Sequence, residues 1–146
     1  MRPELDGAAG PPVTRTADRP ARGWAPPTGR PIDIRPLLGA WVNYDETSTG
    51  ITRIEIGDWQ GCPTVRVFGA DRPAPIDWGE AAGAAFADGV DTVEAVAFVA
   101  NYHLDFVTVI LAGYLNKRLL VVDAYSAFTD SSRRVDSFKR DHFYLP

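Results

Sequence analysis

Cysteine, histidine and lysine are scarce in this sequence of 146 residues. Cys62 is the only cysteine, so one chain contains no disulfide and no zinc site built from several cysteines. The two histidines, His103 and His142, and the scattered acids show no metal-ligand spacing, and we expect no metal. Lys117 and Lys139 are the only lysines, whereas arginine is plentiful.

Long apolar runs and nucleotide-binding loops are also missing. No run of about 18 apolar residues is present, which argues against a membrane helix. The first 30 residues carry charges and prolines throughout, so we predict no secretory signal and a cytoplasmic protein. There is no glycine-rich phosphate loop, Gly-x-Ser-x-Gly elbow or dinucleotide fingerprint, and we expect no cofactor. The net charge of −4 makes nucleic acid an unfavourable partner.

The composition changes near residue 33. Residues 1–32 are rich in proline and arginine and poor in apolar side chains, which predicts a disordered arm. Residues 33–146 have the length and apolar content of one globular domain. At its start, the segment from Asp33 to Gly39 predicts a short helical turn that Asp33 caps.

Beyond this turn, short apolar segments with period-two alternation or β-branched and aromatic content are separated by turn residues, which is typical of strands. The predicted strands are residues 40–44, 51–56, 64–68, 92–101, 104–114, 118–128 and 135–144. Residues 81–89 fit a short helix or a strand, and we favour the strand. About eight sequential strands predict an all-β fold, a single antiparallel meander barrel.

The sharpest register prediction concerns one hairpin. If Asn116 and Lys117 are its turn residues, Leu111 lies opposite Val122, and both faces of the ribbon are mostly apolar. An antiparallel sheet with two apolar faces must be covered on both sides. In a barrel the lumen contents cover one face, and a second subunit covers the other. We therefore expect a homo-oligomer.

The segment Leu37-Leu38-Gly39-Ala40-Trp41-Val42-Asn43 resembles the opening of lipocalins, fatty-acid-binding proteins and avidins, with Gly39 and Trp41 matching their Gly-x-Trp motif. The resemblance implies a calycin-type barrel whose Trp41 seals the closed end beside an arginine, either Arg140 or Arg134. The Thr-Asp-Tyr motif of lipocalins is absent. In size and kind the chain is also similar to the small β-barrel cyclases of bacterial polyketide pathways, although no motif links them.

Asp123 is the strongest candidate for catalysis, because it interrupts the apolar run from Leu119 to Tyr125. With Thr108 and Tyr125 beside it, a desolvated carboxyl would have a raised pKa and act as a general acid or base. The alternative is that Asp123 faces solvent or an arginine across a subunit interface. His103 is a third catalytic candidate near the barrel mouth, or an exposed turn residue.

Aromatic and polar residues near strand ends are candidate ligand contacts. Trp78 is either a lid over the barrel or a packing residue, and Asp77 is positioned to accept a ligand hydroxyl. Phe138 and Arg140 alternate with His142 on the last strand, and either form a polar patch in the lumen or cap the barrel with Trp41. The full set of candidate ligand-binding residues is Trp41, Trp78, Asp77, Thr108, Tyr102, Phe106, Phe138 and Arg140.

Three functions fit these features. The first is binding of a small apolar, polyketide-like molecule that the protein folds into a reactive shape, as a cofactor-independent cyclase or isomerase of specialised metabolism. The second is a carrier or sequestering protein without catalysis. The third is a protein-interaction module that uses the apolar outer face, and it predicts a filled barrel without a pocket of about 300 Å³ or more.

Overall fold

A computed structural model describes residues 31–70, 75–131 and 133–146. A 3₁₀ turn (Arg35–Leu37) precedes eight strands. The strands are β1 (Gly39–Asn43), β2 (Ile51–Trp59), β3 (Cys62–Gly69), β4 (Ile76–Ala87), β5 (Ala95–His103), β6 (Val107–Asn116), β7 (Leu119–Phe128) and β8 (Ser137–Tyr144). The predicted all-β class and strand count are confirmed. The predicted arm lies outside the described residues, apart from Pro31 and Ile32.

Each strand pairs antiparallel with its neighbours in sequence, and β1 closes the barrel by pairing with β8. This closed meander is compatible with the calycin-like fold that the Gly39–Trp41 resemblance implies. The seam is short, because only Val42 with Tyr144 and Asn43 with Phe143 are paired across it. The loops after β1, β3, β5 and β7 form one end of the barrel, here called the mouth. The 3₁₀ turn lies at the opposite, closed end.

The β6–β7 hairpin turns at Lys117 and Arg118, not at Asn116 and Lys117 as predicted. Lys117 has a φ of 58°, and Asn116 pairs with Leu119. Leu111 consequently lies opposite Ala124, two residues from the predicted Val122. A shift of two residues preserves the face of every side chain because the strand period is two. The predicted faces are therefore right, and the individual pairs are wrong.

The closed half of the barrel is filled by its own side chains. Phe98, Leu111, Leu120 and Phe143 are fully buried there. Trp41 is buried below them and donates a hydrogen bond from Nε1 to the Leu37 carbonyl at 2.9 Å. The resemblance to calycins thus gives the right place for this tryptophan. Space for a guest is left only toward the mouth.

The 3₁₀ turn is fixed to the closed end by the backbone. Asp33 donates its N–H to Val93, and Ala95 donates to the Asp33 carbonyl. The Asp33 carboxylate accepts hydrogen bonds from the backbone N–H and the guanidinium of Arg35, which together lower its pKa to about 2. The N-cap position itself is Ile34, one residue later than predicted.

The outer surface of β6, β7 and β8 carries four large apolar side chains that are 38–53% exposed. Ile110 is paired with Tyr125, and the Tyr125 ring lies 5.2 Å from that of Phe138. These three and Tyr114 are called the outer cluster below. The cluster matches the apolar outer face that the hairpin predicts. Exposed apolar side chains grouped on one face are typical of a protein–protein contact.

The homo-oligomer stays a prediction, and the outer cluster is where it can be tested. If copies of the chain cover this face, Tyr125→Ser combined with Phe138→Ser removes most of its apolar area and lowers the sedimentation coefficient to that of a monomer. Tyr44→Ser is the matched control, since Tyr44 is 72% exposed and lies outside the cluster. A wild-type protein that sediments as a monomer would rule the oligomer out.

Candidate functional site

The open half of the barrel contains a cavity of about 610 Å³ that reaches the mouth. Its size falls within the range of small-molecule sites. The apolar lining consists of Ile51, Ile76, Trp78, Leu104, Phe106, Val107, Val109, Ala124 and Phe128. The polar lining consists of Thr49, Asp77, His103, Asp105, Ser126, Arg134, Ser137, Lys139 and Asp141. A smaller depression of about 330 Å³ lies between the ends of β1 and β8.

Strand alternation explains why the cavity has this depth. Along β7, Phe128, Ser126 and Ala124 face inward in turn, and the next inward residue, Val122, is buried in the core. Ala124 and Ser126 are small, so this wall leaves room where larger side chains would fill the barrel. One layer further down, Leu111 and Phe98 close the floor. The cavity is therefore a cup that opens at one end.

Polar side chains follow one wall of this cup. Ser137, Lys139 and Asp141 alternate inward along β8, and they pair with Ser126, Ala124 and Val122 of β7. The opposite walls are mainly apolar. A guest that fits both sides has an apolar body and a polar group on one side or at one end.

Two charged side chains of the cavity lining, Asp77 and Arg134, already have partners. Asp77 is bound by the guanidinium of Arg66, which lies on the outer side of β3, with Nε 3.1 Å from both carboxylate oxygens. The Arg66 hydrogen bonds and the Gly79 N–H hold the pKa of Asp77 below its usual value. Arg134 pairs with Asp130 at 2.9 Å and lies over the Phe128 ring at 4.5 Å. The charges of these side chains are already balanced by their partners, so their main contribution is to the shape of the rim.

Trp78 and Tyr102 form an aromatic corner beside the cavity. Their rings meet edge-on with centroids 5.6 Å apart. The Tyr102 hydroxyl lies 2.6 Å from the Val65 carbonyl and 3.0 Å from the Gly79 carbonyl. Burial raises the pKa of Tyr102. Tyr102 is thus a neutral structural support under Trp78, with its hydroxyl already bonded to the backbone.

Of the predicted site residues, His103, Trp78, Asp77 and Phe106 line the cavity. Trp78 lies on strand β4, which begins at Ile76. One detail of their surroundings differs from the expectation. The Asp77 carboxylate, expected to accept a ligand hydroxyl, is already bound to Arg66. Whether these residues contact a ligand stays a prediction.

The other predicted residues on β6, β7 and β8 lie outside the barrel. Thr108, Asp123, Tyr125, Phe138 and Arg140 alternate with inward-facing neighbours, and the structure places them on the outer face. From these positions their side chains do not reach a guest in the cavity. His142 lies on the same outer face as Arg140.

The expected rise in the pKa of Asp123 is wrong. Arg140 lies directly across from it on β8, and the guanidinium binds both carboxylate oxygens at 2.7 and 2.9 Å. These hydrogen bonds lower the pKa of Asp123, and they outweigh the burial that acts in the opposite direction. An ionised carboxylate paired with a guanidinium has no proton to donate and is a weakened base, so it is poorly suited to general acid–base catalysis.

A pH dependence of stability follows from this pair. A lowered folded-state pKa adds stability above the unfolded value of 3.8, and that stability is lost as the pH falls below it. Asp123→Asn should therefore lower the urea midpoint at pH 7, and the difference from wild type should shrink below pH 3.8. Asp88→Asn, in the exposed β4–β5 loop, is the control. An Asp123→Asn difference that persists unchanged in acid would contradict this.

The arginine expected beside Trp41 is not there. Arg140 is on the outer face with Asp123, and Arg134 is at the mouth, at the opposite end of the barrel from Trp41. Trp41 is bonded to the Leu37 carbonyl and lies in the closed end, below the cavity. Its role is packing, and a direct ligand contact does not fit this position.

Sequence reasoning missed Lys139, Asp141, Ser126 and Ser137. On β8, Ser137, Lys139 and Asp141 share one parity with the buried Phe143, and that parity faces inward. Phe138, Arg140 and His142 have the opposite parity. Both parities contain aromatic and charged residues, so the composition of the strand does not show which one is inside.

Among the described residues, no three His, Cys, Asp or Glu side chains come close enough to hold a metal ion. The same residues include no helix with the length and apolar content to cross a membrane. Comparisons with protein-family models, with curated proteins and with solved structures give no match. The cavity and its lining are therefore the basis for any functional proposal.

Proposed function

We propose that this protein binds a small, largely apolar molecule in the open half of its barrel. The observation that carries the proposal is the cup of about 610 Å³ with apolar walls and one polar wall. A barrel serving only as an interaction module has no need of such a space, and core packing normally fills it. The small side chains of Ala124 and Ser126 keep it open.

A catalytic role as a cyclase or isomerase is an extension of the same proposal. Confinement of a flexible, polyketide-like molecule favours folded conformations in which reacting atoms are close. Asp123 and Tyr125 are outside the cavity. The ionisable groups that line it are Asp77, His103, Asp105, Arg134, Lys139 and Asp141. A non-catalytic carrier needs only the cavity. The geometry of the cavity therefore supports ligand binding more directly than it supports catalysis.

Titration with N-phenyl-1-naphthylamine, a neutral apolar fluorophore, tests the binding step. We expect saturable fluorescence enhancement with one site per chain, and loss of the signal when the protein is unfolded in urea. Native mass spectrometry of the purified protein should also show any retained guest as a mass shift. A folded protein that neither retains a guest nor binds the fluorophore would refute the proposal.

A further inference from the structure

We infer that Lys139 holds the polar end of the guest, and that this end carries a negatively charged oxygen, as in a carboxylate, enolate or sulfonate. The inference deepens the proposed function and depends on it. It assigns a binding role to a residue that the sequence pattern did not single out.

The position of Lys139 in the sheet gives it access to the cavity. It pairs with Ala124, and its neighbours on β8, Phe138 and Arg140, face outward. The Lys139 ammonium lies near the rim, 3.4 Å from the Ser48 hydroxyl oxygen. The small side chain of Ala124 leaves the space beside the lysine stem open to a guest.

Lys139 also differs in its partners from Arg134, the arginine of the cavity lining. Arg134 is bound by Asp130. In the described part of the chain, the Ser48 hydroxyl is the only hydrogen-bond or ion-pair partner of the Lys139 ammonium, at a long distance. In the described chain Lys139 has no carboxylate at ion-pair distance, and the Asp45 carboxylate attracts it at longer range. Such a cation is suited to pair with a charge on the guest.

Asp141 sets the side on which the guest anion sits. It lies two residues further along β8, deeper in the cup, and would repel a negative group placed there. On the rim side, the Lys139 ammonium is a donor to an oxygen acceptor. We therefore place the anionic oxygen at the rim and the apolar body below it, against Val109 and Ile51.

Two fluorophores that differ in one group isolate this contact. N-phenyl-1-naphthylamine is neutral, and 1-anilinonaphthalene-8-sulfonate has the same ring system with a sulfonate. Lys139→Met keeps the length of the side chain and removes its charge. We expect it to weaken binding of the sulfonate about tenfold while changing affinity for the neutral probe less than about twofold. Lys139→Arg should retain most of the sulfonate affinity.

Lys117 provides the matched control. It is the only other lysine, and it lies in the β6–β7 turn at the closed end. Lys117→Met should leave both affinities unchanged. The sulfonate affinity of wild type should also fall from low to high salt, whereas the neutral probe should show little change.

The outcomes separate this inference from the proposed function. If wild type binds neither probe, both are wrong. If Lys139→Met, shown to be folded by its thermal unfolding, leaves both affinities unchanged or lowers them equally, the cavity function stands and the role of Lys139 is overturned. Loss of the sulfonate selectivity alone supports the inference.

Discussion

Replacing Ser126 with tryptophan is expected to weaken binding of N-phenyl-1-naphthylamine by at least about a hundredfold, roughly 2.7 kcal/mol. Ser126 faces inward between Val109 of β6 and Ser137 of β8. An indole at this position occupies the middle of the cup. The fold should persist because the new ring enters existing space and does not displace the packed core below. Fluorescence titration and thermal unfolding measure the two effects.

The adjacent residue gives a matched control. Tyr125 is on the same strand and points to the outer face, where it is 48% exposed. Tyr125→Trp adds an indole one residue away but outside the barrel, and should leave the affinity unchanged. If Ser126→Trp binds the probe as tightly as wild type, the probe is not in the cup. An affinity loss in Tyr125→Trp alone would place it on the outer cluster.

Gly113→Ala is expected to destabilise the fold by about 3 kcal/mol, although one methyl group is all it adds. A Cβ built at Gly113 would lie 2.3 Å from Cε1 of the Phe98 ring and within 3 Å of two further ring atoms. Phe98 is fully buried, so its ring has no free space to move into. Glycine is therefore required here by the close approach of the ring. The urea midpoint and slope give the change in the free energy of unfolding.

A double-mutant cycle tests that explanation. Phe98→Leu alone removes ring atoms and should also destabilise, but in its presence Gly113→Ala has fewer atoms to displace. The double variant should thus be clearly more stable than the sum of the two single effects predicts. Simple additivity would show that the cost at Gly113 arises elsewhere, for example in the backbone.

The barrel was predictable from the sequence because strands carry a period-two signal and turns carry characteristic residues. The grouping of the β6–β7 hairpin residues into two faces followed from the same period, even though the turn lies one residue later than expected. The strand favoured for residues 81–89 is also confirmed, since β4 extends through Ala87. The local hydrophobic pattern of the sequence was sufficient to assign a residue to a strand and to one of its two faces.

The choice between inside and outside was harder. On β7 both Val121 and Val122 are buried, although their side chains point to opposite faces. With two apolar faces, composition does not show which one lines the lumen. The sequence is therefore consistent with Asp123 as a desolvated catalytic group inside the barrel, although the structure places it outside. Its partner Arg140 is 17 residues away in sequence, and only the β7–β8 register brings the two together.

The cavity lining could not be predicted from the sequence, because three separate loops and six strands contribute residues to it. Lys139 looks like an ordinary surface lysine until the parity of β8 is fixed by the buried Phe143. The pairing of Asp77 with Arg66 depends on the β3–β4 register, which is irregular between Arg66 and Phe68. Such sites depend on contacts between distant segments.

Contacts between bound N-phenyl-1-naphthylamine and protein methyl groups, measured as intermolecular nuclear Overhauser effects, test the central claim most directly. Methyl groups are available on both faces of the same strands. We predict contacts from the probe rings to the methyls of Val109, Ala124 and Ile51, which line the cup. Contacts confined to Ile110 and Ala112, on the outer side of β6, would contradict the claim that the barrel holds the guest inside.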